Sequence, residues 1–223
     1  MINKEAANRN FSLACRTYDE AKEVIRELTT YVQAASPDFS FEIAMKQFDM
    51  ILQGILLRTA ADDGYFLDEE RQFIEKITDY GDIMSYFNKK GIPISWDSFE
   101  GLSVEDQKDI SLKMVVLLKE MANDFVTPFA IVDALLPKDY CEIITEKIGI
   151  IGLSLAACDG DADDSSDFKK EAGVVYVLVN NMIKEKWQEI VSKREKSNVH
   201  NKSQNHPRSN SLKENFLKKK TLM

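Results

Sequence analysis

Histidine is nearly missing from this chain: His200 and His206 are the only two, and both lie in the last 27 residues. The preceding 196 residues therefore cannot supply an imidazole for a catalytic triad or general base, nor the usual nitrogen ligand of zinc, copper or haem. Cysteine is also scarce. Cys15, Cys141 and Cys158 are odd in number and form no CxxC pair, so neither a disulfide framework nor a thiolate zinc site is suggested; three lone thiols flanked by apolar residues read as reduced core side chains. Nine glycines and five prolines are too few for the many tight connections of a sandwich or barrel, which excludes the all-β classes. No stretch reaches 18 uncharged apolar residues, the longest being Ile148 to Cys158, and no apolar run followed by a cleavage site opens the chain. A cytoplasmic protein is expected.

What is present is globular: 44% hydrophobic and 30% charged residues in 223, with 12 Phe, 7 Tyr and 2 Trp, enough for a full-sized core. The formal charge of −8 divides unevenly, with +5 in residues 197–223 and −13 in residues 1–196. So acidic a body repels phosphate backbones, which leaves nucleic acid or an anionic membrane as partners for the tail alone.

Apolar residues recur at steps of three and four through most of the body, the spacing of one helical face. Phe11, Cys15, Tyr18, Ala21, Ile25, Leu28 and Val32 predict a helix from about residue 10 to Ser36. Similar stripes predict helices over 41–61, over 69–88, from Ser103 through Met121, and over 139–158, with a long last helix from Phe168 onward. Thr127 and Pro128 suit an N-cap and first helical position, which predicts a separate short helix there, ended by Pro137. Trp96 and Phe99 are expected to pin the intervening loop, and Trp187 to lie in a core stripe. The expectation is an all-α, single bundle of about seven helices over residues 1–196, built around two repeated helical hairpins, with a disordered basic tail over 197–223.

The repeat emerges on shifting the sequence by 96 positions, which lays the segment ending Ala60-Ala61-Asp62-Asp63-Gly64 over the one ending Ala156-Ala157-Cys158-Asp159-Gly160. Each copy is an apolar helix, an Asp-Gly corner, a run of acids, and a second amphipathic helix. The first corner holds Asp62, Asp63, Asp68, Glu69 and Glu70; the second holds Asp159, Asp161, Asp163, Asp164 and Asp167. At about 7 Å each pair of carboxylates repels by roughly 0.6 kcal/mol in water and about 2 kcal/mol at an effective dielectric of 20. A divalent cation would reverse that sign. An all-oxygen donor set favours Ca²⁺ or Mg²⁺, and Gly64 and Gly160 suit a sharp turn after each helix. The same acids also serve as N-terminal caps and dipole partners for the helices that follow. The second corner places Asp159, Asp161 and Asp163 at positions one, three and five of an EF-hand loop, but Asp164 stands at the glycine and Lys170 at the bidentate glutamate.

The frame Ala61-Asp62-Asp63-Gly64 with Glu70, and Ala157-Cys158-Asp159-Gly160 with Asp167 one residue late, resembles the TerB-like proteins of bacterial tellurite resistance and the related domain of DnaJ-like membrane chaperones. The resemblance covers residues 43–80 and, less closely, 146–185. It implies an all-helical bundle with acidic cation sites, acting in stress-response or signalling assemblies through a protein partner rather than as an enzyme. Asp63 and Glu70 would be ligands at the first corner, and Asp159 and Asp167 at the second; Asp161 and Asp163 join them by local density. A structural adaptor with solvated acidic caps and no metal is the alternative. An Mg²⁺-dependent phosphoryl hydrolase would need both corners, or one corner and another acid, to converge on a shared pocket.

Overall fold

The computed structural model describes residues 4–61, 67–79, 82–92, 95, 103–136, 138–158 and 166–202, with the backbone alone at 4, 104, 107, 166–167 and 195–202. Within them the chain is helical, with no strand. The elements are α1 (Lys4–Gln33), α2 (Phe41–Ala60), α3 (Asp68–Ile77), α4 (Ile83–Lys89), α5 (Val104–Asp133), α6 (Tyr140–Ala156), α7 (Ser166–Leu178) and α8 (Glu185–Lys202). A π-helical stretch, Val179–Lys184, joins α7 to α8 without a break, so the described chain packs as seven rods around one apolar cluster.

Contacts across the rods fix their directions. Tyr18 of α1 meets Asp49 of α2, and Arg26 lies 4.6 Å from the ring of Phe41, so these two helices run antiparallel. Asn10, Glu20 and Glu27 of α1 meet Ala157, Lys147 and Tyr140, so α1 is antiparallel to α6 as well. Phe48 against Phe125 and Gly54 against Leu118 make α5 antiparallel to α2. Consequently α1 and α5 point one way, and α2 and α6 the other.

The repeat extends beyond the hairpins. α1 and α5 are both 30 residues long and start 100 positions apart. Burial recurs at the same offset: Ala14, Tyr18, Ile25, Thr29 and Val32 are buried, as are Met114, Leu118, Phe125, Phe129 and Val132. Each half thus leads with a long helix whose heptad-spaced apolar face packs on the hairpin helix of the other half.

Three expectations are corrected. The helix anticipated over 69–88 is two, α3 and α4, because side chains of α2 seize the backbone between them. Gln53 accepts from the Ile83 amide at 3.0 Å and donates to Thr78 Oγ1 at 2.5 Å; Asp49 accepts from the Asp79 amide at 3.2 Å; Asp82 caps α4 through the Ser85 amide at 2.9 Å. The helix starting at Thr127 is instead the continuation of α5. Thr127 caps nothing; its hydroxyl donates back to the Asn123 carbonyl at 2.6 Å, and Pro128 sits inside the helix. The last helix runs to Lys202, six residues into the segment read as tail. Residues 203–223, Trp96 and Phe99 lie outside the described residues. Trp187 is fully buried in the core, as its stripe indicated, and Cys141 and Cys158 are buried with Cys15 half-buried.

Candidate functional site: the two acidic corners

The hairpin helices α2 and α6 end alike. Ala61 donates its amide to the carbonyls of Leu57 and Thr59, and Ala157, 96 positions later, donates to those of Leu153 and Leu155. The backbone therefore repeats as far as Ala61 and Ala157. Asp63, Asp159, Asp161 and Asp163 lie outside the described residues, as do Gly64 and Gly160. Asp167 belongs to the first turn of α7, its side chain undescribed.

Glu70 is buried at 5% exposure, and its Oε2 accepts from the Leu67 amide at 2.8 Å. That is the return half of a capping box: a third-position glutamate ties up an otherwise orphaned amide at the start of α3. Glu70 accordingly fixes the chain as it enters α3 from the first corner.

The helix directions bring the C-terminal ends of α2 and α6 to one pole. Both α2 and α6 point their C-termini toward the start of α1, which touches the elements on either side. Asn10 Nδ2 donates to the Ala157 carbonyl at 2.8 Å, satisfying one of the free acceptors at the end of α6. Phe11 packs edge-on against Phe73 of α3 with centroids 5.4 Å apart. Three helix N-termini, those of α1, α3 and α7, converge on this pole.

Two buried carboxylates elsewhere have structural tasks. Asp49, fully buried, accepts from the Tyr18 hydroxyl at 2.8 and 3.0 Å. Burial, then the Asp49 charge, pushes the Tyr18 phenol far above its ordinary value. At the opposite pole Asp133 accepts from the amides of Tyr140 and Cys141 at 3.2 and 3.3 Å and from the Trp187 indole at 2.8 Å. Its carboxyl is raised, because desolvation outweighs those three donors. Beside it, burial chiefly, with the charges of Asp139 and Asp133, pushes the Cys141 thiol up to about 12.

Among the described residues no three carboxylates, thiols or imidazoles gather as a metal site, and no helix is long and apolar enough to cross a membrane. Neither Asn10 nor the α2 pair Asp49 and Gln53 stood out in the sequence reading. The pair had a signal, polar residues four apart inside the buried stripe of Phe48, Leu52, Ile55 and Leu56; Asn10 had none, since its partner is 147 residues away. Comparison with family models, with curated proteins and with solved structures returns no match for this chain.

Proposed function

We propose that this chain is a non-enzymatic helical protein of the cytoplasm that binds Ca²⁺ or Mg²⁺ at its acidic corners and acts through a protein partner, in a stress-response assembly of the TerB-like kind. The observation that carries the reading is the shared pole. α2 and α6 end alike at the same end of the bundle and an acid run follows each in the sequence, so a cation at either corner would relieve repulsion within its own run. Asp63 and Glu70 would serve the first corner, and Asp159, Asp161, Asp163 and Asp167 the second. Glu70 would do so while keeping its hold on Leu67.

The second reading, a scaffold whose acids are caps, draws support from that same hydrogen bond, because a glutamate already closing a capping box has a purely local purpose. Calorimetric titration of metal-stripped protein separates the two. Heat on adding Ca²⁺ or Mg²⁺, together with a rise in melting temperature that vanishes in Asp159→Asn/Asp163→Asn, supports the cation site. A flat titration at millimolar ion, with the double variant as stable as the parent or more so, leaves the scaffold.

A further inference from the structure

We propose that the exposed seam between α6 and α7 takes a second copy of this chain, packed across a two-fold axis that passes beside Tyr176. Helix direction places the residues. Gly152 faces Val175 and Glu142 pairs with Lys184 at 2.6 Å, so α7 runs antiparallel to α6, with Leu153, Ile150 and Glu146 level with Val174, Tyr176 and Asn180. Tyr176, Asn180 and Lys184 follow at steps of four, and Lys184 reaches Glu142, so Tyr176 rises on the α6 side of α7. It is 72% exposed, Leu153 across the seam is 42% exposed, and Ile150 is half-buried. A Cβ added at Gly149 or Gly173 would meet nothing within 4 Å among the described residues, so the seam is shallow enough for the backbone of another helix to approach.

Charge decides what fits there. The end of the seam toward the corners carries exposed Lys169 and Lys170; the other end carries exposed Glu146, beyond which Lys184 holds Glu142. At 1.5 Å per residue Lys169 lies about 11 Å from Tyr176 in one direction and Glu146 about 6 Å from it in the other, so their midpoint is within about 3 Å of Tyr176. A copy given half a turn about an axis across both helices lays α6 on α6 and α7 on α7 in opposite directions. The basic end of each seam then borders the acidic end of the other, twice by symmetry, and Tyr176 meets its own counterpart near the axis. The net negative charge of the chain does not prevent this, because it is screened beyond about 8 Å in physiological salt. α6 and α7, 17 and 13 residues long, present roughly 500 Å² on each copy and about 1,000 Å² in the pair, the low end for a specific interface, so the association is concentration-dependent.

Sedimentation of the full-length protein from micromolar to millimolar concentration in physiological salt tests this, with a monomer–dimer equilibrium expected. Gly149→Leu is expected to raise the dimer dissociation constant by about tenfold or more without lowering the melting temperature of the monomer, since a side chain there enters open space. Glu146→Lys is expected to weaken association by about tenfold, and Glu146→Lys/Lys169→Glu to restore it, because two symmetric contacts change sign together. In a Cys15→Ser background, Tyr176→Cys is expected to give a covalent dimer with a short bis-maleimide. A monomer throughout the range, a dimer indifferent to Gly149→Leu and Glu146→Lys, a charge swap that restores nothing, or thiols that the cross-linker does not bridge would each overturn the proposal.

Discussion

Removing the Asp133 carboxylate tests how the pole opposite the corners is held together. The side chain satisfies three donors at once: two amides in the first turn of α6 and the Trp187 indole of α8. In Asp133→Ala all three lose their acceptor in a place only 8% exposed. An unsatisfied buried donor costs about 1–3 kcal/mol. Water reaching the vacated space recovers part of that for the two amides, and deleting a poorly solvated carboxylate returns some more, so a net loss of about 3 kcal/mol is expected. Against a typical domain stability of about 5–15 kcal/mol that is a large fraction. Asp133→Asn keeps one acceptor but turns an amide group toward a donor, and is expected to cost about half as much. The pH dependence has a definite sign. The native carboxyl is raised above its unfolded value of about 3.9, so its contribution is fully present below that pH and is lost as pH rises through the native value. Asparagine does not titrate, and its deficit relative to the parent should therefore narrow from acid toward neutral pH. Urea denaturation followed by circular dichroism at pH 4 and pH 7 measures both effects. An alanine variant within about 0.5 kcal/mol of the parent at neutral pH would refute the triple-acceptor account.

Other outcomes follow from packing and from the thiols. A Cβ at Gly152 would come within 2.5 Å of Val175 Cγ1, whereas one at Gly149 meets nothing within 4 Å. Gly152→Ala should lower stability by about 1–3 kcal/mol while Gly149→Ala raises it by roughly 0.5–1 kcal/mol; equal melting temperatures for the two would contradict the close α6–α7 approach. Gln53→Ala leaves the Ile83 amide without its acceptor, so hydrogen exchange at Ile83 should accelerate at least tenfold, the equivalent of about 1.4 kcal/mol. Unchanged protection there would mean that the α3–α4 break is fixed by other means. Maleimide at pH 8 should label half-buried Cys15 first and leave Cys141 unmodified until denaturant is added, since the Cys141 thiol stays protonated well above that pH. Rapid native labelling of Cys141 would contradict its buried position.

The sequence carried the helices whose apolar stripe runs uninterrupted: α2 and α6 lie within about two residues of their expected bounds, since periodicity and local caps such as Ser40 and Asp139 agree there. The α3–α4 break was hidden because Phe73, Ile77, Met84 and Phe87 keep helical phase across it; what breaks the helix is a pair of α2 side chains about 25–30 residues upstream. Pro128 misled in the opposite direction, because a proline normally marks a start, and only burial of Phe125, Val126, Phe129 and Ala130 on both sides of it reveals one continuous rod. At the corners, composition and spacing made the acid runs visible, and the equivalent ends at Ala61 and Ala157 follow the repeat. That α2 and α6 end at the same pole was not readable, because it depends on the direction of α1, set by contacts such as Tyr18 with Asp49 and Asn10 with Ala157.

The sealed position of Trp187 gives the molecule an optical gauge of its own. With Trp96→Phe it becomes the single indole emitter, stacked on Phe129 and hydrogen-bonded to Asp133 at the junction of α5, α6 and α8. Its emission wavelength would register any local opening of that junction directly, because the indole itself seals it. A spectral response to an ion added at the far corners would instead require strain to travel the length of the bundle, so one fluorescence channel distinguishes a rigid strut from a lever.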